Sequence, residues 1–179
     1  MRRHHQRDRW RRNSAKTAAQ PTPSATIPAA NEDTTTVPEP EPDPTQETAR
    51  IGEKIRDDDY DYEFVVSKIT CGISRVGSDY FGDKAQGQFC LVKLRVKNVG
   101  DEPILYSEEN QALVDRKGKT SSADDEAWIH VDSDPFGEIN RGNTLKTTVP
   151  FDIPKRVKPD YLLLKAGVWG FSEGVRVEL

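Results

Sequence analysis

The sequence predicts an all-β chain: a two-layer β-sandwich of seven to eight short antiparallel strands, preceded by a disordered tail. Three observations predict it. Cys90, Val92, Leu94 and Val96 alternate with Lys93, Arg95 and Lys97, a period of two that puts one set on each face of a strand. Short apolar runs recur from residue 51 to the C-terminus with turn residues between them. The segment ahead of them shows neither a strand period nor a helix period.

That segment, residues 1–50, forms the first unit of the chain, and residues 51–179 form the sandwich domain. Seven of the twelve prolines fall between Pro21 and Pro44. Such a composition buries too little apolar surface to offset chain entropy. Arg2 to Arg12 is a basic run with one aromatic, Trp10. It reads as a nucleic-acid contact, as attraction to an anionic membrane surface, or as the positive flank of a targeting signal. No apolar core follows it of the kind a signal peptide needs. Pro38-Glu39-Pro40-Glu41-Pro42-Asp43-Pro44 favours extended polyproline II, a semi-stiff stalk or a passive tail.

Within the domain, Ile51 to Ile55 is a short first strand, followed by the acidic run Asp57 to Asp61. The run is a candidate calcium site, although it lacks the glycine and closing glutamate of an EF-hand loop; the alternative is a solvated turn. Tyr62 to Thr70 is rich in β-branched and aromatic residues and reads as a strand ending at Cys71-Gly72. Gly72, Gly77, Gly82 and Gly87 mark the next stretch as a flexible exposed loop. The central strand then runs from Cys90 to Val96 and stops in Asn98-Val99-Gly100-Asp101-Glu102-Pro103. Ile104 to Tyr106, Gln111 to Asp115 and Trp128 to Val131 are further short strands, with a loop or a serine-capped helical turn at Ser121 to Glu126. Thr144 to Ile153 alternates again, and Pro150 within it marks an edge or a bulge. Tyr161 to Ala166 and Val175 to Leu179 complete the sheets.

The two cysteines, Cys71 and Cys90, fall at neighbouring ends of adjacent strands. The favoured reading is a disulfide that pins this hairpin; the other is a pair of unrelated buried thiols. With His130 the only histidine of the domain, a zinc site lacks ligands, and no metal or cofactor is expected. Residues 1–20 carry a net charge of +6 and residues 51–179 one of −5. An acidic domain repels nucleic-acid backbones, so nucleic acid is not an expected partner of it.

Gly87-Gln88-Phe89-Cys90 running into Val96-Lys97-Asn98-Val99-Gly100-Asp101-Glu102-Pro103 resembles the central strand and turn of an immunoglobulin-like bacterial family, domain of unknown function four-three-five-two. Leu113-Val114-Asp115 with Gly118, and Val149 to Pro154, resemble its later strands. The resemblance covers residues 51–179 and implies an immunoglobulin-like β-sandwich, similar in fold to a secreted actinobacterial antigen. It implies an extracytoplasmic protein, secreted, lipoprotein-like or anchored at the envelope, although no signal peptide or lipobox is visible here. Members usually have Pro-Gly ahead of the long late strand, where this chain has Arg141-Gly142. The family carries no agreed catalytic residues.

Chemistry is sparse. There is no Gly-x-Ser-x-Gly elbow, P-loop or dinucleotide fingerprint. His130 near Asp132 or Asp134 is the one candidate base, and the carboxylates Asp124, Asp125 and Glu126 are the one cluster that could form an acid/base pair; a polar surface histidine and a solvated loop are the alternatives. The candidate interaction surface is aromatic: Trp128, Phe136, Trp169 and Phe171 in or beside loops, with Tyr80 and Phe81 near the cysteines. Capping of the core is the alternative there. The expected function is a noncatalytic binding module whose partner is a protein or a cell-envelope component. A structural spacer head in an envelope or phage-encoded assembly and an unrecognised hydrolase are the other readings.

Overall fold

The computed structural model describes residues 47–57, 60–169 and 171–179. The basic run, the proline-rich stalk and the two central carboxylates of the acidic run, Asp58 and Asp59, lie outside these. Eleven strands build the fold: β1 (Thr48–Arg50), β2 (Ile55–Asp57), β3 (Tyr62–Gly77), β4 (Gly82–Asn98), β5 (Ile104–Leu105), β6 (Ala112–Asp115), β7 (Thr120–Ser122), β8 (Glu138–Ile139), β9 (Thr144–Ile153), β10 (Pro159–Leu164) and β11 (Val175–Glu178). One sheet has the order β2-β3-β4-β9 and the other β1-β11-β10-β6-β7, with β5 and β8 as a small ribbon. Every pair is antiparallel except β1 with β11.

The core lies between the two sheets. Phe64, Val66, Val92, Leu94, Val96, Val149 and Phe151 face it from one side, and Leu113, Leu162, Leu164, Val175 and Val177 from the other. The alternation along the second half of β4 is as the sequence predicts: the even-numbered residues from Cys90 to Asn98 are buried, while Lys93 and Arg95 are exposed. Pro150 lies on the edge strand β9, opposite Leu91. It has no N–H to leave unpaired, and its outward carbonyl accepts from Asp124 N at 2.8 Å.

Asn98 closes β4. It is fully buried, and its Nδ2 donates to the carbonyls of Glu102 (2.7 Å) and Ile139 (2.8 Å). Its Oδ1 accepts from Gly100 N, and its backbone pairs with Gly142 and Asn143. One amide thus ties the end of β4 to two turns. The second of these runs Asn140-Arg141-Gly142-Asn143, closed by Asn143 N donating to Asn140 O at 2.9 Å, with Gly142 at φ +76°. The positive φ requires the glycine; a proline at the preceding position only presets φ, so Arg141 serves there.

The structure corrects several boundaries. The stretch expected to be a flexible loop between Cys71 and Cys90 is a continuation of both strands, turned only at Ser78 to Phe81. Its glycines serve backbone geometry: Gly72 and Gly77 hold positive φ, and a Cβ on Gly87 would stand 2.1 Å from the Ile153 carbonyl oxygen. A second apolar cluster stabilises the extension on its outer side, where Val76, Ala85 and Phe89 pack with Ala127, and Ile73, Leu91 and Val131 pack around them. The expected strand Trp128 to Val131 is a 3-10 turn, Ala127–His130, because Asp124 Oδ1 accepts the N–H groups of Glu126 (3.1 Å) and Ala127 (2.8 Å) and starts a helical turn. The carboxylate, not a serine, makes that cap, and Thr120–Ser122 is a strand. The expected first strand, Ile51 to Ile55, is mostly the turn between two strands, with Gly52 at φ +89° and only Ile55 in a strand. The first of them, Thr48–Arg50, starts ahead of residue 51.

A disulfide joins Cys71 to Cys90, with Cα atoms 4.0 Å apart. It lies within the β3–β4 ladder and not at strand ends. Cys71 and Gly72 together stand opposite Cys90, a β-bulge. Replacing both cysteines with alanine is expected to lower stability by about 3 kcal/mol for a loop of this length, read as a lower urea midpoint. A second prediction concerns two tyrosines. Tyr62 Oη donates to Leu105 O at 2.5 Å, whereas the buried Tyr106 Oη has no partner among the described residues. Tyr62→Phe is therefore expected to lose about 1 kcal/mol, and Tyr106→Phe to be neutral or stabilising by a similar amount, in the same urea titration.

Candidate functional site

The six aromatics do not form one surface. Tyr80 and Phe81 stand exposed at the tip of the β3–β4 hairpin, where Phe81 meets the His130 ring edge-on at 4.7 Å. Trp169 and Phe171 lie in the β10–β11 loop at the other end of the sandwich, 78% and 79% exposed. That loop is tied down by Asn110 Nδ2 donating to Gly167 O and by Ser172 Oγ donating to Asp57 Oδ2. Trp128 and Phe136 come together along a shallow recess with Glu109 and Asp125.

The residues considered for catalysis are engaged elsewhere or apart. His130 sits against the hairpin tip, and its buried Nδ1 has no hydrogen-bond partner among the described residues, so neither Asp132 nor Asp134 orients it. Asp124 caps the 3-10 turn. Of the acidic run, Asp57 turns inward to Ser172 and Asp61 faces Arg56 at 3.8 Å. No group of three or more potential metal ligands is gathered among the described residues.

Sequence reasoning missed Glu108, which is 3% exposed in the 3-10 turn Glu108–Asn110. Its carboxylate accepts from Ser133 Oγ (2.8 and 2.9 Å) and from Thr147 Oγ1. Burial pushes its pKa above the ordinary value of 4.5; the two hydroxyls oppose that, and nearby Asp134 adds to it. The cluster locks the turn to β9 and to the Ser133 segment.

A wide concavity is also one the sequence did not reveal. A cleft of about 610 Å³ opens between the β6–β7 turn and the β9–β10 loop. Arg116, Lys117, Lys119, Arg156 and Lys158 ring it, and Leu113, Ile153, Val157 and Pro159 form its apolar floor. The volume lies within the usual range of ligand pockets, about 300–1,000 Å³. Its one acidic residue, Asp115, is turned back on its own loop. Asp115 Oδ1 accepts from Lys119 N (2.9 Å) and Lys117 N (2.8 Å), and these bonds, that of Lys119 foremost, hold its carboxyl below the ordinary range. Among the described residues, Lys117, Lys119, Arg156 and Lys158 have no ion-pair partner, and Arg116 approaches Asp160 only to 3.9 Å. The five cations come from two loops about forty residues apart in sequence, so only the strand topology shows them as a set.

Two packed antiparallel sheets with a pinned central hairpin define an immunoglobulin-like β-sandwich domain. The chain belongs to the family described as a domain of unknown function, DUF4352, whose model matches residues 49–175. Among curated proteins no sequence matches it. Similar solved structures include a secreted protein of Mycobacterium tuberculosis, MPT63 (11% identity, 76% of this chain and 100% of that one, TM-score 0.56). They also include the yjhA protein of Bacillus subtilis (15%, 73% and 98%, 0.55). A third is a conserved hypothetical protein of Bacillus anthracis (15%, 73% and 95%, 0.52). At these identities the likeness is one of fold.

Glu108 yields a pH prediction. Its folded-state pKa lies above the unfolded one, so the folded chain holds the proton more tightly, and stability falls as pH rises through the interval between the two. Above that interval the full penalty remains. Wild type is therefore expected to lose stability relative to Glu108→Gln as pH rises from 4.5, on top of any pH-independent offset. Urea midpoints of both proteins across that range check it, and parallel curves refute it.

Proposed function

We propose that this domain is a noncatalytic binding module acting outside the cytoplasm, at a bacterial envelope, and that its cleft takes an envelope component bearing an anionic group on an apolar body. The single observation that carries this reading is the cleft: five cations, four of them without an ion-pair partner among the described residues, around an apolar floor, with the lining carboxylate Asp115 bonded back to its own loop. A ligand's charge meets the rim while its apolar part replaces water on the floor. The Cys71–Cys90 disulfide supports the compartment, since such a bond persists in oxidising surroundings and is rare in the cytosol. The secreted mycobacterial protein of similar fold is consistent with that compartment.

Anilinonaphthalene sulfonate, an anion on an apolar ring system, is the test probe, with neutral phenylnaphthylamine as its control. Fluorescence titration should show one saturable site for the anion. Arg156→Gln with Lys158→Gln should weaken it about tenfold, a change of about 1.4 kcal/mol, and affect the neutral dye far less. Unchanged anion affinity in a variant that still unfolds cooperatively refutes the assignment.

A further inference from the structure

A second collection of cations lies on a different surface, the outward face of the β2-β3-β4-β9 sheet. Lys93, Arg95 and Lys97 point out of β4. The register places Lys68 of β3 directly beside Lys93, and Lys146 of β9 directly beside Arg95. Like charges directly opposite one another destabilise a sheet. Among the described residues none of these five has an ion-pair partner. Glu63, which stands opposite Lys97 in the register, is taken by Lys54 at 3.1 Å. Val65 and Thr148, beside these cations, are buried, while Lys68, Lys93, Arg95 and Lys146 are exposed.

The other half of this face is covered by the segment that carries the 3-10 turn Ala127–His130, which packs over Phe89 and Leu91. That segment is pinned to β9 by Thr148 N donating to Asp132 O at 2.8 Å. It leaves a groove of about 330 Å³ beside it, lined by Ser67, Lys93, Arg95, Lys146 and Thr148 and by one acid, Asp132.

We infer that this groove is a binding site for a linear polyanion of the phosphate-polymer type, one charge per extended repeat. Three features select that occupant. Charges on alternate residues of β4 repeat every 6.6–6.8 Å or so, a row suited to an extended chain and not to a compact single anion. The covering segment stands above the sheet and carries Asp125, Glu126 and Asp132. A flat anionic membrane would meet those carboxylates together, whereas a chain lying in the groove meets only Asp132, one acid among Lys93, Arg95 and Lys146. No aromatic side chain lines the groove, so it offers no platform for stacking nucleobases. The acidic balance of the domain as a whole does not oppose this, because charges beyond about 10 Å are largely screened.

The test uses the oxidised protein and long-chain inorganic polyphosphate, with affinity measured across salt. Wild type should bind with log K falling against log salt by about 0.7 per cation engaged, a slope of about −3, or roughly a hundredfold between about 50 and 200 mM salt. Lys93→Gln with Arg95→Gln and Lys146→Gln should abolish most binding and reduce the slope by about two. Its urea midpoint should be equal or higher, since the cross-strand repulsion is gone. The cleft variant, Arg156→Gln with Lys158→Gln, should bind polyphosphate as wild type does, which separates this site from the cleft. Equal binding by the groove variant would falsify the inference. Tighter groove-dependent binding of phosphatidylglycerol vesicles, of polyglutamate or of oligothymidylate would overturn the choice of occupant.

Discussion

The pleat of β4 is the constraint on which the rest of this fold depends. Successive residues of a strand alternate between faces, so burying Val92, Leu94 and Val96 forces Lys93, Arg95 and Lys97 outward. A slip of one residue would exchange the two sets and bury the cations, so the register is strongly specified. It is pinned at two points: the Asn98 amide fixes where the strand stops, and the disulfide to Cys71 fixes its partner at mid-strand. The bulge at Cys71-Gly72 also changes parity. Ile69 points into the sandwich core, and without the extra residue Ile73 would point the same way. With it, Ile73 pairs with Phe89 on the outer side. The second apolar cluster therefore exists because one extra residue is accommodated where the disulfide clamps the pair.

The legible parts of the fold were those in which periodicity and chemistry agree. Alternation located β4 and set the bounds of β9; the proline in β9 marked an edge strand. The long β3–β4 hairpin was not legible, because its glycines look like loop punctuation. Their actual uses, a bulge, a turn and a close approach to Ile153, are tertiary. The 3-10 turn at Ala127–His130 was misread because Trp128, Ile129 and Val131 have strand propensity, while Asp124, four residues ahead of Trp128, sets the conformation. For the site, residue type was visible and assembly was not. The aromatics were recognised as exposed candidates, yet the fold distributes them over three places. Arg156 and Lys158 meet Lys117 and Lys119 only because β9 and β10 return the chain to the β6–β7 turn.

Net charge is a poor guide to what such a domain attracts. The five-unit excess of carboxylates in residues 51–179 is a sum over the whole surface. The fold separates it. Cations collect at the cleft and along β4, while Asp57, Glu108 and Asp115 are taken up by internal hydrogen bonds. At a Debye length of about 8 Å, a ligand in either place feels the nearby cations and little of the remote carboxylates. The argument that an acidic domain repels every polyanion thus holds for the average surface and fails for a row of adjacent lysines and arginines.

The irregular segment around the 3-10 turn has two effects that follow from one placement. Strand β9 is the edge of its sheet, and an open edge invites pairing with another chain. Asp124 N and the Asp132 carbonyl bond to Pro150 O and Thr148 N, so this edge is occupied by the chain itself and not left as a template. Reaching from that edge over Phe89 and Leu91, the same segment forms a wall on the outer face and converts part of a flat sheet into a groove. Edge protection alone needs only the two backbone bonds. The wall needs the packing of Ala127 and Val131 as well, and this packing in turn depends on the bulge that sends Ile73 outward. The groove is thus built on the same register that assembles the core, so its cations are held by the most constrained strand of the domain and not by a mobile loop.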